Sequence, residues 1–297
     1  MPKKISRYWL LLVLAMGIFG ALNAILGKIV LRELSPFHYT FIRFILAFLF
    51  ILPLIIHQFP KKHLWKLFLV SLFGAGNVII FAFGIMKTTA NASSIIYLLS
   101  PVITLLLGSL FLRHTFKKSS IRWVILWLMG GLAVVVLPII YTGQYNVWSL
   151  TGNLIVVVAM ISFVIYNMRS KPMQKTFSYL TITAGFFITT LLISGVVSLF
   201  HPQALISQVA HLSYYARWSL LFVGLLWTGL NYLIHQLIIK KTSYIGGSLF
   251  LYVQPIATVL LAITILNEKV TWLFVIASVI SLIWVGLSSQ EKSEATP

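Results

Sequence analysis

The sequence predicts an all-α integral membrane protein with ten transmembrane helices, built as two inverted five-helix repeats with both termini in the cytoplasm. Its composition, its series of apolar runs and an internal repeat are the observations that predict this fold. Of the 297 residues, 60% are hydrophobic and only 9% are charged, which is too little charge to cover the surface of a soluble domain. The surface must therefore face lipid, and the lipid bilayer is the first partner that the sequence implies.

The apolar runs supply the helices. A membrane-spanning helix needs roughly 20 mostly apolar residues, so a chain of this length has room for about ten of them and for no separate soluble domain. Turn and charge signals divide the sequence into predicted spans at 8–31, 36–56, 64–86, 90–112, 121–141, 149–168, 178–200, 217–239, 244–266 and 271–288. We expect a long loop over 201–217 and a disordered polar tail over 289–297.

The basic residues indicate how the chain lies in the membrane. The net charge of +18 could suggest a nucleic-acid partner, because basic clusters are the usual footprint of phosphate recognition. With the N-terminus inside, however, 16 of the 22 lysines and arginines fall on the cytoplasmic side, as the positive-inside rule requires. We therefore expect no nucleic-acid partner and an even number of spans. The six exceptions are Lys28, Arg32, Arg43, Lys87, Arg217 and Lys269.

The residue types in the sequence give little support for a cofactor, a metal site or enzymatic activity. The chain contains no cysteine, which excludes disulfides and thiolate metal sites. Its histidines lack the spacing of two ligands on one helical turn with a third nearby, so we predict neither a metal nor a cofactor. With no cysteine, no aspartate and no glutamate inside a span, the groups for nucleophilic and acid-base catalysis are missing as well.

An internal repeat relates the two halves of the chain. A shift of 154 positions superposes Asn77 on Asn231, Lys87 on Lys241, Thr88 on Thr242 and Pro101 on Pro255, and a shift of 144 superposes Asn23 on Asn167. Because each copy contains five helices, the second copy must enter the membrane from the opposite face, as in the inverted repeats of secondary transporters. We predict a first repeat over 1–142 and a second over 143–288.

The sequence resembles the EamA-type branch of the drug/metabolite transporter superfamily. The resemblance spans nearly the whole chain. It rests on the Ala92-Ser93-Ser94 to Pro101 segment, its counterpart Gly246-Gly247-Ser248 to Pro255, the Ile265-Leu266-Asn267-Glu268 ending and Arg43. It implies ten helices around a central cavity, lined chiefly by helices one to four and six to nine. It also implies transport, in many members the export of amino acids or other metabolites.

Polar side chains within the apolar runs are the candidate substrate contacts, because a polar group in hydrocarbon needs a partner. They are Asn23, Arg43, Asn77, Tyr97, Asn231, His235 and Tyr252. A structural role competes with substrate binding for each: hydrogen bonds between helices for the amides, the interfacial belt for the tyrosines, and a satisfied buried imidazole for the histidine. Arg43 lies roughly 10 Å into helix two, so it either snorkels to the surface or holds a carboxylate in the cavity.

Two prolines fall in mid-span. Pro101 and Pro255 each remove an intrahelical hydrogen bond and kink their helix. Because broken helices at matched positions of two halves point to a binding site, both prolines are candidates for shaping or gating the cavity. A kink that serves packing alone is the alternative.

The acidic residues restrict the substrate. Glu33, Glu268, Glu291 and Glu294 are the four acids, and none lies in mid-membrane, although the exchange of lipophilic cations for protons normally uses an embedded carboxylate. Neutral, zwitterionic and anionic small molecules remain as substrates.

We expect a plasma (inner) membrane exporter of amino acids or related small metabolites that works by alternating access, for which a monomer suffices. An exchanger of organic anions or phosphorylated metabolites is favoured instead if Arg43 and Lys28 both face the cavity. A membrane scaffold or assembly protein is the alternative from another class.

Overall fold

The computed structural model describes residues 7–56, 63–100, 103–104, 106–108, 147–241 and 250–267, and within them the chain is helical, without strands. The helices are α1 (Arg7–Val30), α2 (Pro36–Ile55), α3 (Leu64–Lys87), α4 (Ala90–Leu98), α5 (Val147–Met173), α6 (Tyr179–Leu199), α7 (Pro202–Ala210), α8 (Tyr214–Lys241) and α9 (Phe250–Leu266). The predicted spans at 121–141 and 271–288 and the predicted tail lie outside these residues, so the count of ten helices stays a prediction.

Five of the described helices, α2, α3, α5, α6 and α8, are long and apolar enough to cross a membrane. In addition, α1 and α9 contain shorter apolar stretches at Leu14–Val30 and Val253–Leu266. The prediction of an all-helical protein with several membrane-spanning helices is therefore confirmed for the part of the chain that the structure describes.

Serine side chains fix where two of these helices begin. Ser35 accepts a hydrogen bond from the backbone N–H of His38 at the start of α2, and Ser178 accepts one from Thr181 at the start of α6. Pro36 follows the first of these caps, where its missing N–H does no harm. The two caps lie 143 residues apart, close to the offset of the predicted repeat.

The expectation of a long loop over 201–217 is wrong. This segment contains α7, and α8 already begins at Tyr214. Pro202 starts α7 and Ser213 caps α8, which are both local signals for a helix start. Despite the signal at Pro202, α7 was not predicted, because a nine-residue helix lacks the long apolar run that marks a membrane span. None of the residues of α7 is buried in the protein.

The middle of α8 is a π-helix over Val223–Asn231, between the α-helical segments Tyr214–Phe222 and Tyr232–Lys241. A π-helix hydrogen bonds over five residues instead of four, and short π-helical stretches occur frequently at functional sites. The counterpart segment under the shift of 154, residues 69–77, is ordinary α-helix within α3. The two halves of the chain therefore differ at this point, which the residue pattern did not predict.

Aromatic side chains fill the space between α2, α6 and α8. Phe44, Phe186, Phe187 and Tyr232 meet edge to face, with ring centroids 4.9 to 6.2 Å apart. Glycine allows close approach of a further helix, because a Cβ on Gly74 of α3 would lie 2.6 Å from the Phe186 ring. Helices in a membrane gain no hydrophobic energy by meeting one another, so tight packing of this kind holds them together.

Candidate functional site

A cavity of about 50 Å³ lies between α1, α2, α3, α4, α5, α8 and α9, which is enough space for a few water molecules. Six of the seven predicted substrate contacts line it, namely Asn23, Arg43, Asn77, Tyr97, Asn231 and His235. The side chain of the seventh, Tyr252, lies outside the described residues. Side chains from both predicted halves of the chain therefore meet at one site.

Arg43 is buried in the wall of this cavity, with only 3% of its surface exposed, so it does not snorkel to the membrane surface. Its Nε–H donates to Thr228 Oγ1 at 2.5 Å, and its Nη1–H donates to the Tyr39 hydroxyl at 3.3 Å. The guanidinium carbon also lies 5.6 Å from the ring centres of Tyr39 and Phe44. A guanidinium carries five N–H donors, and the described residues engage two of them.

The charge of Arg43 has no acidic partner among the described residues. Glu33 is the acid that lies within them, and its carboxylate accepts hydrogen bonds from the backbone N–H (2.7 Å) and the hydroxyl (2.6 Å) of Ser213. The remaining acids, Glu268, Glu291 and Glu294, lie outside the described residues. Since an uncompensated buried charge is unfavourable, an anionic group that enters the cavity is attracted strongly to Arg43.

Asn77 and Tyr97 connect helices as well as lining the cavity. The Asn77 amide donates to the Tyr97 hydroxyl and to the backbone carbonyl of Ala159 (2.9 Å), which joins α3 to α4 and α5. The Tyr97 ring packs against Phe81 and Phe163, with centroids 5.5 and 5.8 Å away. Asn77 thus makes hydrogen bonds between helices, the structural role that competed with substrate binding in the sequence analysis. Tyr97 lies at the cavity and not in an interfacial belt.

Asn231, the repeat counterpart of Asn77, has a different environment. Its side-chain oxygen is buried and accepts no hydrogen bond from the described residues, and the same holds for the side-chain oxygen of Asn23 on α1. A buried oxygen without a donor is unfavourable unless water or a ligand supplies one. Two residues of the cavity wall therefore each carry a buried oxygen for which the described residues supply no donor.

Aromatic rings form the apolar part of the wall. The His235 ring stacks on Phe163, with centroids 5.6 Å apart and planes inclined by 19°. It also meets the edge of Phe250 at 5.8 Å, and Trp227 lies 6.3 Å from Phe250. His235 follows Asn231 by one helical turn, and both side chains line the cavity.

Neither Pro255 nor Lys28 is among the residues that line the cavity. Pro255 is buried within α9, directly after Gln254, which lines the cavity, whereas Pro101 lies outside the described residues. Lys28 is not part of the lining, and its ammonium donates to the Thr88 carbonyl at 2.8 Å, just beyond the end of α3. Of the two cations that the anion-exchanger alternative requires, Arg43 therefore faces the cavity and Lys28 does not.

Some residues of the site were not among the predicted contacts. They are Ser93, Trp227 and Gln254 in the lining, and Thr228 behind Arg43. Gln254 carried a usable signal, because it is an amide in an apolar run directly before Pro255. Trp227 and Thr228 carried none, since a tryptophan or a threonine in such a run is ordinarily part of the core.

The fold and the cavity define an integral membrane protein whose helices surround a small polar site. The sequence profile of the EamA-like transporter family matches residues 7–137 and again residues 150–290, so the chain belongs to that family. The predicted resemblance is thereby confirmed, and the chain is a membrane transporter and not an enzyme.

Individual relatives agree with this assignment. An uncharacterized transporter of Archaeoglobus fulgidus is 26% identical over 271 residues, which cover 89% of this chain and 92% of that protein. The uncharacterized transporter YetK of Bacillus subtilis is 25% identical over an alignment of 315 positions, which covers 99% of this chain and 91% of that protein. A solved crystal structure superposes with a TM-score of 0.68 over 96% of this chain and 98% of its own, at 14% identity, which shows the fold alone.

Substitution by leucine is expected to have different effects on stability at Asn77 and at Asn231. Asn77→Leu deprives the Ala159 carbonyl and the Tyr97 hydroxyl of their donor, so it should lower the free energy of unfolding by about 1–3 kcal/mol. Asn231→Leu removes an oxygen that accepts no hydrogen bond from the described residues, so stability should stay the same or rise while transport falls. Thermal unfolding in detergent measures the difference, and equal destabilisation by both changes would show that both amides are structural.

Proposed function

We propose that this transporter is a plasma-membrane exporter of amino acids or related small metabolites, and that it works by alternating access. The observation that supports this substrate class is that one cavity is lined by the Arg43 cation and by Asn23 and Asn231, whose side-chain oxygens accept no hydrogen bond from the described residues. Amino acids are zwitterions, and they carry a carboxylate and an ammonium close together.

A zwitterion satisfies both parts of this arrangement. Its carboxylate can take up the free N–H donors of Arg43, in the paired geometry that guanidinium and carboxylate favour. Its ammonium has three donors and no acceptor, so it matches the oxygens of Asn23 and Asn231. The rings of Phe163 and Trp227 suit an apolar side chain. The cavity of about 50 Å³ has to widen to admit it, as the exchange between inward-open and outward-open conformations implies. A lipophilic cation would instead meet the like charge of Arg43.

We infer that residues 1–142 and 143–288 form inverted halves of ten helices in all, with both termini in the cytoplasm. Asn77 and Asn231, which are related by the shift of 154, line the same cavity, and the serine caps begin two helices that correspond in the repeat. A site between two such halves can open to either side of the membrane as the halves exchange conformations.

An exchanger of organic anions is the second candidate. One buried cation is sufficient for a single carboxylate, and the described residues place no acid beside Arg43. A phosphorylated metabolite fits less well, because its double charge would face one cation while Lys28 is engaged with the Thr88 carbonyl. A scaffold role has no feature of the cavity in its favour.

A thermal-shift screen of the detergent-purified protein tests the proposal. Binding stabilises the folded state by RT ln(1 + [L]/Kd), about 2.7 kcal/mol when the ligand is a hundredfold above Kd. We expect amino acids to stabilise the protein more than organic acids, phosphorylated metabolites or lipophilic cations. Stabilisation by organic acids alone would favour the anion exchanger, and stabilisation by lipophilic cations alone would contradict both candidates.

A further inference from the structure

The guanidinium of Arg43 is held in one orientation by its neighbours. Thr228 accepts from Nε, Tyr39 accepts from Nη1, and the Phe44 ring packs beside the group. Nη2 donates to none of the described residues and Nη1 has a second N–H, so the edge formed by Nη1 and Nη2 still has N–H donors for a ligand in the cavity. Two parallel N–H donors on one edge match the two oxygens of a carboxylate.

The Thr228 hydroxyl is a fixed acceptor for this arginine. A hydroxyl has one proton, and Thr228 donates it to the Val223 carbonyl at 2.8 Å. Thr228 has no exposed surface, so water does not compete for its lone pairs. With the proton directed at Val223, the lone pairs of the hydroxyl are available to the Nε–H of Arg43.

The π-helix sets the direction of that hydroxyl. Four other buried threonines donate to the carbonyl four residues earlier, as is usual in an α-helix: Thr104 to Ser100, Thr183 to Tyr179, Thr190 to Phe186 and Thr258 to Gln254. Thr228 reaches the carbonyl five residues earlier, which is the spacing of a π-helix. The wider turn therefore changes where the hydroxyl points and brings it to Arg43.

The matching contact in the other half of the chain is apolar. The shift of 154 places Gly74 opposite Thr228, and the serine caps, 143 residues apart, place Phe186 opposite Arg43. Phe186 packs directly on Gly74, with its ring 2.6 Å from the position of a Cβ. The fold thus accepts an uncharged pair at this helix crossing, so packing alone does not require Arg43 and Thr228.

We propose that Thr228, presented by the π-helix, is a positioning residue that makes the cavity specific for carboxylates by orienting Arg43. This inference rests on the proposed function, because it takes Arg43 as the group that binds the substrate. Thr228 acts through the guanidinium and does not touch the substrate. Without this acceptor, the guanidinium turns more freely, and its open edge is no longer held towards the cavity.

Three variants test the proposal. Thr228→Val keeps the shape of the side chain and removes the acceptor, whereas Thr228→Ser keeps the acceptor. Thr190→Val is the matched control, because Thr190 is also fully buried and its hydroxyl donates within its own helix, α6. Counterflow in liposomes measures the Michaelis constants for leucine and isocaproate, which carry a carboxylate, and for leucinamide, which does not. This assay requires neither a known coupling ion nor a known direction of transport.

We expect Thr228→Val to raise the Michaelis constants for leucine and isocaproate about ten- to a hundredfold, the effect of losing a hydrogen bond to a charged group. Thr228→Val should leave the Michaelis constant for leucinamide close to that of the unaltered protein. Thr228→Ser and the Thr190→Val control should leave all three constants close to those of the unaltered protein. An equal rise for leucinamide would show a general disturbance of the cavity and would overturn the positioning role.

The outcomes separate this inference from the proposed function. Unchanged constants for Thr228→Val, together with impaired transport by Arg43→Leu, would overturn the positioning role and leave the proposed substrate class standing. An unaltered protein that carries neither leucine nor isocaproate would overturn both.

Discussion

Arg43→Leu is expected to abolish the transport of carboxylates without destabilising the protein. Arg43 is buried and has no acidic partner among the described residues, so an anion in the cavity is what compensates its charge. Arg43→Leu takes one donor from each of the buried Thr228 and Tyr39 hydroxyls, although Thr228 still donates to Val223, and the removal of a buried charge offsets this loss. Replacing a buried ionic group by an apolar one of similar volume is often neutral or stabilising. We therefore expect an unchanged or higher melting temperature without substrate.

The expected loss of transport is large. Truncating one member of a buried, hydrogen-bonded charge pair costs about 2–5 kcal/mol, which corresponds to a factor of about thirty to several thousand in affinity. Counterflow of leucine measures the loss, and thermal unfolding with and without leucine measures binding separately. Full retention of transport by Arg43→Leu would exclude Arg43 from the substrate site.

Arg43→Lys is the matched variant. It keeps the positive charge but lacks the planar fork, so one ammonium must serve both Thr228 and the carboxylate. We expect transport between that of Arg43→Leu and that of the unaltered protein. If both variants instead fail to fold, the arginine is structural, and its charge is paired with an acid beyond the described residues.

The polar part of the site was predictable because a polar side chain in an apolar run is rare and unfavourable. Asn77 and Asn231 stood out further, since one shift superposes them. Their different environments were not predictable. Asn77 donates to the carbonyl of Ala159, 82 residues away, whereas the oxygen of Asn231 has no donor among the described residues. Such differences depend on contacts between distant helices, which the local sequence does not contain.

The features of the fold likewise differ in whether they depend on local sequence or on contacts between distant residues. The start of α2 at Ser35 and Pro36 was predictable, because a serine cap and a first-turn proline act within one turn. The π-helix was not, because an apolar run predicts a membrane helix without indicating whether its hydrogen bonds span four residues or five. The role of Thr228 depends on Arg43, which lies 185 residues away in sequence.

Lys28 and Lys171 are expected to close the two ends of the transport path. Lys28 donates to the Thr88 carbonyl (2.8 Å) just beyond α3, and Lys171 donates to the carbonyls of Ile239 (2.6 Å) and Lys240 (3.1 Å) at the end of α8. A helix C-terminus carries partial negative charge, which favours a lysine there. Because α3 and α8 correspond under the shift of 154, the proposed inversion puts the two contacts on opposite faces of the membrane.

Alternating access requires each of these contacts to break in turn. A hydrogen bond to a charged group contributes about 1.5–3 kcal/mol, so its loss should raise the open population on that face about ten- to a hundredfold. The chain has no cysteine, so Ser93→Cys in the cavity wall is a single reporter for a membrane-impermeant thiol reagent. We expect Lys28→Met to speed labelling from outside the cell, and Lys171→Met to speed labelling from the cytoplasmic side in inside-out vesicles.

Lys66→Met is the matched control, because it removes the same charge from the exposed start of α3, where Lys66 packs on the Trp65 ring, and it should leave labelling unchanged. Faster labelling from opposite sides would mean that lysines on corresponding helices, α1 and α5, close opposite faces, as inverted halves require. Faster labelling from one and the same side would contradict the inverted topology, and unchanged labelling would leave both lysines as helix caps alone. The side of labelling therefore distinguishes two halves that exchange roles during transport from a repeat that serves packing.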